Sequence, residues 1–361
     1  MRRFMGKRTA KRAGRGDIEE RLEGAARAFE EKDFEAVLAQ TDTLLTEAPR
    51  HPWVLHYRAA ALAELERIEE AAQAYQQALK ADPEDLELLL GAADFLICRV
   101  GEDREALEEG LTLCEQGRKL AEHSDDVELV YEFLFLEGMG LNQVGECEQA
   151  LTSLDAALEL MPRSVDASVE RGIALFELCR FPEAQAAFER VLKDASDEAW
   201  AYHYLGLMAE RRGELKEAKK RFAKAQALMP EEFPPPVELS EEEFDRALEA
   251  AVKALPERVK GYLDNATISV EDIPSDEDLT GQSPPLSPCI LGVFRGTPVG
   301  ERSVASAYDH FPAAIVLYQR NLERFAKTRE ELIEQIGITV MHEVGHLVGL
   351  DEDDLWERGL D

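Results

Sequence analysis

Three glycines, Gly138, Gly172 and Gly206, stand 34 residues apart, and three alanines, Ala150, Ala184 and Ala218, keep the same interval. Pro162 and Pro230 are two such periods apart. A fixed period of this length constrains a fold more than any other feature of a sequence. Each unit exposes an apolar face that it can hide only against the next unit. Between the markers the apolar residues recur at helical spacing, with no alternation of strand type. One period therefore predicts two helices of about 14 residues and a short turn, with Gly or Ala where the helices cross closely. Further copies are read at 52–85, with Ala59, Ala71, Tyr75, Ala78 and Pro83, and in weaker form at 18–51 and 86–124.

The most complete copy runs from Trp200-Ala-Tyr-His-Tyr-Leu-Gly206 through Gly213, Ala218, Phe222 and Ala225 to Pro230. This arrangement resembles the tetratricopeptide repeat over residues 18–230. The resemblance implies an α-solenoid that binds a protein or peptide partner. Inner-helix positions read onto the concave face are Trp53, His56, Glu132, Phe135, Met139, Asp166, Val169, Ile173, Phe176, Trp200, His203 and Leu207. Basic residues are nearly absent from this set, so an apolar or basic peptide is the expected ligand.

The repeat ends at Glu231-Glu-Phe-Pro-Pro-Pro236, which cannot continue a helix because proline lacks the amide donor. The expected organisation is a basic disordered tail at 1–17, a repeat solenoid at 18–230, a Pro-rich linker at 231–239 and a second domain at 240–361. Ser240 with Glu243 is a capping-box start for a helix to about Ala254. Strands are expected at 266–270, 290–294 and 313–318, an acidic loop between the first two, and a long helix from about Arg329 to Val348.

That last helix contains His342-Glu343-Val344-Gly345-His346. Ile333, Ile336, Gly337, Val340, Val344, Leu347 and Val348 are expected to form its buried face, which leaves the histidines on another. Residues four apart on a helix lie side by side, so both imidazoles can hold one zinc ion. Glu343 is placed to take a proton from water attacking a carbonyl. Gly349 permits a left-handed turn that folds the chain back under the metal. Glu352, three residues on, is then the natural third ligand, with Asp351 and Asp353 as alternatives.

The segment 238–361 resembles a family of small bacterial zincin-like metallopeptidases. The likeness is carried by Leu291-Gly-Val-Phe-Arg-Gly296, Glu301-Arg302-Ser303, Ile315-Val-Leu-Tyr318, Val340 to Leu350, and Asp354-Leu-Trp-Glu-Arg-Gly359. It implies an α+β fold, a zinc cofactor and an acidic third ligand, a role that falls on Glu352. In zincins generally the strand before the active helix is an edge strand that binds extended peptide, here Ala313 to Tyr318. Tyr318 and His310 are candidates for stabilising the oxyanion. The expected protein is thus mainly α: a tetratricopeptide-like solenoid joined to a zincin-like zinc metallopeptidase domain. The competing reading is a non-catalytic adaptor with a structural or vestigial metal site.

Composition narrows the remaining classes. With 74 acids against 41 Lys and Arg the net charge is -33, which disfavours nucleic acid as a partner. No apolar run is long enough to span a membrane. The five cysteines are scattered, with no C-x-x-C, so neither a disulfide framework nor a cysteine zinc site is expected. Residues 1–16 carry seven cations and no acid. Their Arg2-Arg3 pair is followed by no apolar stretch of export-signal type, and a cytoplasmic protein is expected.

Overall fold

The structure is a computed structural model that describes residues 16–100, 103–123, 126–263, 266–299, 313–351 and 354–355. The expected basic tail lies outside these residues, apart from the start of the first helix. The chain divides into two compact units, Met1–Leu175 and Phe176–Asp361.

The first unit is entirely helical among the described residues. Helices α1 (Gly16–Glu30), α2 (Phe34–Glu47), α3 (Pro52–Glu64), α4 (Ile68–Ala81), α5 (Leu86–Arg99), α6 (Arg104–His123), α7 (Val127–Gln143) and α8 (Cys147–Leu160) form successive antiparallel pairs, and α9 (Val165–Glu177) begins the next. The spacing of small residues explains the pairing. Ala59, Ala71, Ala78, Ala150 and Ala157 are fully buried. A Cβ on Gly138 would come within 2.5 Å of the Leu154 side chain, so only glycine lets α7 and α8 approach this closely. Asp33, Asp85 and Asp126 cap α2, α5 and α7 by accepting backbone N–H bonds. Turns between paired helices carry a left-handed residue, 34 residues apart from Lys32 to Glu66 and again from Gly145 through Cys179 to Gly213, the last two in the second unit. The weak copy at 86–124 is irregular because α6 extends to 20 residues.

The second unit continues with α10 (Phe181–Asp194), α11 (Ala199–Arg211) and α12 (Leu215–Leu228). After the prolines come α13 (Glu241–Ala254), α14 (Glu257–Leu263), β1 (Ala266–Glu271), α15 (Asp276–Thr280), β2 (Gly292–Arg295), β3 (Ala313–Tyr318), α16 (Gln319–Phe325) and α17 (Arg329–Leu347). The strands form one sheet in the order β1-β3-β2, with β1 parallel and β2 antiparallel to β3. Ala313, Ile315 and Leu317 point from β3 into a core shared with α13 and α17, through Phe244, Leu332, Ile336, Val340, Val344 and Leu347. Strand side chains alternate between faces, so Val316 and Tyr318 point to the opposite face. The acidic segment covers that face, with Leu279 of α15 buried there.

This topology corrects the expectation for Ala313–Tyr318. The strand is central, because β2 pairs along its other side. Ile333 is also corrected: it is 41% exposed, and Leu332 takes its place in the buried face. The capping box is present, with the Ser240 N–H donating to Glu243 Oε2 at 2.9 Å.

The three repeat helices of this unit are fixed to the sheet domain. Glu210 of α11 accepts hydrogen bonds from Arg320, at 3.2 Å, and from Arg324, both on α16. Arg211 donates to the Pro274 carbonyl and to Asp276, and lies 4.7 Å above the Phe181 ring. The proline segment is tied down too. Phe233 packs against Trp200 and stacks on His203 with ring centroids 4.6 Å apart, while the Val237 and Leu239 N–H groups donate to Glu323.

Candidate metal centre

Helix α17 presents the site. Thr328 caps its start by accepting from the Glu331 N–H, and its apolar stripe fixes its rotation against the sheet and α13. Rotation then decides what the remaining faces hold. His342 and His346 are half-buried, one turn apart, with rings at 81° and centroids 4.8 Å apart. Their Nε2 atoms lie 3.1 Å from each other. Two nitrogens on one tetrahedral zinc at about 2.0–2.1 Å stand roughly 3.3 Å apart, so this spacing suits a shared ion. Nδ1 of His346 is 3.1 Å from the Leu350 carbonyl oxygen. A carbonyl only accepts, so the ring hydrogen sits on Nδ1 and the Nε2 lone pair points at the shared position.

Leu350 is in place because the helix ends in a Schellman turn. The Leu350 N–H donates to the Gly345 carbonyl and the Gly349 N–H to that of His346, both at 3.0 Å. Gly349 has φ +91, the left-handed conformation expected of it. The chain then turns back. Asp351 accepts the Asp354 N–H at 2.8 Å, and Leu355 is fully buried, 2.4 Å from where a Gly345 Cβ would be. That small residue inside the motif therefore seats the returning chain.

Glu343 is a buried acid, 5% exposed, among the residues facing the sheet. Its Cγ would be 3.2 Å from a Cβ placed on Gly292, which would also be 2.7 Å from Thr339 Cγ2 and 3.1 Å from the Val316 carbonyl oxygen. The first residue of β2 thus has no room for a side chain, and its backbone forms one wall against the acid. The sequence offers only a glycine at a strand start as a signal for this contact.

Glu352 and Asp353 lie outside the described residues, as does His310. Among the described residues no group of three His, Cys, Asp or Glu converges as metal ligands. Tyr318 is buried on the sheet face opposite α17. Its hydroxyl donates to Asp278 at 3.0 Å, inside a network where Arg295 binds both Asp278 and Glu271. Burial works to raise the Asp278 pKa, but the bonds from Arg295, Ser275 and Tyr318 outweigh it and hold the acid at about 2. This cluster pins α15 to all three strands, and Tyr318 belongs to it.

In the repeats, His56, Val169, Phe176 and Leu207 are buried between helices and do not face a groove. Trp200 and His203 are covered by Phe233 of the same chain. Trp53, Glu132, Phe135, Met139 and Ile173 keep part of their surface, and Asp166 is exposed.

Residues 263–360 match the zincin-like metallopeptidase family, and residues 52–85 and 141–210 match tetratricopeptide repeats. No curated protein matches the chain. Among solved structures, the chain is similar to PilW, a type IV pilus biogenesis factor, at 18% identity and TM-score 0.53, covering 64% of this chain and 99% of that one. It is also similar to PilF of Pseudomonas aeruginosa, at 14% identity and TM-score 0.49, covering 59% and 92%, and to YrrB, a repeat protein with a peptide-binding site, at 19% and 0.39, covering 53% and 93%. The PilW likeness concerns the helical-repeat fold alone. No helix among the described residues is long and apolar enough to cross a membrane. The chain carries tetratricopeptide repeats and, after them, a zincin-like metallopeptidase domain.

Proposed function

We propose that the chain is a zinc-dependent metallopeptidase whose helical repeats recruit a protein substrate or regulator. The observation that carries this reading is the pair of Nε2 atoms 3.1 Å apart beside a buried glutamate. A structural site gains nothing from an acid held in that place. His342, His346 and an acid after Gly349, with Glu352 the first choice over Asp351 and Asp353, would hold the ion. When bound, zinc polarises a carbonyl and lowers the pKa of water. Glu343 takes the proton of the attacking water and returns it to the leaving amine. The substrate backbone aligns along β2, which pairs on one side only among the described residues and runs beside Glu343. The repeats over 18–230, the linker over 231–239, the catalytic domain over 240–361 and a cytoplasmic setting belong to the same proposal.

The test is zinc content and cleavage of a panel of unfolded polypeptides by the full chain and by Glu343→Gln. We expect about one zinc in both proteins, and cleavage by the wild type that the variant reduces on the order of 10²–10⁴-fold. Substoichiometric zinc with no cleavage by either would leave the adaptor reading. Single Ala variants of Asp351, Glu352 and Asp353 then assign the third ligand through zinc affinity, which should fall most for Glu352.

A further inference from the structure

Helix α12 reverses the charge of the helices it repeats. The second helix of each earlier pair, α2, α4, α6, α8 and α10, carries more acids than bases. Helix α12 carries Lys216, Lys219, Lys220, Arg221 and Lys224 against the single acid Glu217, in a chain of net charge -33. Arg221 is 2.7 Å from Glu217, and Lys220 is 3.8 Å from it. Lys216 and Lys219 have no ion-pair partner among the described residues, and Lys224 lies only over the Tyr202 ring at 5.9 Å. Lys216, Lys219, Lys220 and Lys224 are all exposed.

The exposed residues share one side of the helix. At 100° per residue, Leu215, Lys219, Ala223, Lys216, Ala227, Lys220 and Lys224 fall in that order across about half the circumference. Leu215 is 51% exposed, and Ala223 and Ala227 are exposed in the middle of the lysines. Ala218 and Ala225 on the other side are buried against α11. The surface is thus a shallow alanine strip flanked by ammonium groups on flexible stems. Four neighbouring lysines share one acid, Glu217, 3.8 Å from Lys220 and also bonded to Arg221, so their mutual repulsion is a cost that an anionic partner would remove.

We propose that this face of α12 is a docking surface for an acidic peptide segment of a partner protein. Its alanines admit the partner backbone and its lysines receive the carboxylates. Extended polyanions fit less well. A membrane or a nucleic acid would bring a large negative surface against the acidic remainder of the chain, whereas a short segment meets only the patch. The proposal is independent of the peptidase reading, since it needs neither metal nor Glu343.

The experiment is fluorescence anisotropy of the full chain with a labelled Glu-rich peptide and its Gln counterpart. We expect the acidic peptide to bind and the Gln peptide not to, with affinity falling as salt rises. Lys216→Glu/Lys220→Glu/Lys224→Glu should weaken binding by at least about tenfold, and the triple Lys→Gln variant by less. Lys80→Glu, on the exposed side of α4, should leave it unchanged. These positions are exposed, so an unchanged circular dichroism spectrum shows that each variant is folded. The proposal is overturned if wild-type protein ignores the acidic peptide, or if the triple reversal binds it equally well. Tighter binding to phosphatidylserine vesicles or to polyuridylic acid than to the peptide would also overturn it.

Discussion

The repeat region and the zincin-like domain both leave room at a glycine for a neighbouring side chain, and they use that closeness differently. In the repeats, Gly138 and Gly206 let paired helices cross beside Leu154 and Phe222. The contact recurs at a multiple of the repeat interval, as packing between like helix pairs requires. In the metal domain, Gly292 occurs once and lies against Glu343 and Thr339. The first kind of contact holds a scaffold together. The second fixes where one carboxylate stands.

That difference should separate under substitution. The largest stability loss is expected from Gly138→Leu, which must displace Leu154 in a closed interior, at about 3 kcal/mol. Urea unfolding would measure it, while zinc content stays unchanged. Gly292→Ala should cost about 1–3 kcal/mol, because its Cβ meets the Val316 carbonyl as well as two side chains. It should also lower peptide cleavage on the order of 10²-fold with zinc retained, since the acid shifts and the histidines do not. If both glycine variants lost activity only in proportion to unfolding, Gly292 would have no role beyond packing.

A third test uses pH. Desolvation lowers His203 to about 4, against an ordinary 6.5, with Arg324 adding to the effect, and desolvation lowers His56 to about 4 as well. The unfolded chain then binds more protons between about pH 6.5 and 4, so stability rises with pH through that window and is lost on acidification. His203→Phe keeps a ring to stack on Phe233 and removes the charge. Its stability should fall less between pH 7 and 4.5 than that of the wild type, by on the order of 2 kcal/mol. The smallest effect is expected for Tyr318→Phe, which removes one bond to Asp278 and costs about 1 kcal/mol. Activity should be unchanged in it, because the hydroxyl is on the sheet face away from the metal helix.

Most of the repeats and the heart of the site were legible in the sequence because both are local. Helix pairing follows from spacing, and the two imidazoles meet because four residues make one turn. The capping box at Ser240 and the left-handed Gly349 were legible for the same reason. Strand order was not, since β2 reaches the far side of β3 through pairing that no short window encodes. The helices α14, α15 and α16 are too short to show a period. The tie between Glu210 and the arginines of α16 joins residues more than a hundred positions apart. Ile333 was misplaced by one position because both it and Leu332 fit the stripe, and only packing against the sheet chooses between them.

The Schellman turn after α17 has a consequence in acid–base terms. A metal and a proton compete for the same imidazole lone pair. By presenting the Leu350 carbonyl to Nδ1, the turn gives the neutral ring's one hydrogen a home away from the metal, so the ion need not first evict it. Gly349 thereby acts as a selector of tautomer for a side chain three residues before it. Any residue that straightens this turn should weaken zinc binding through His346, even with every proposed ligand still in the chain.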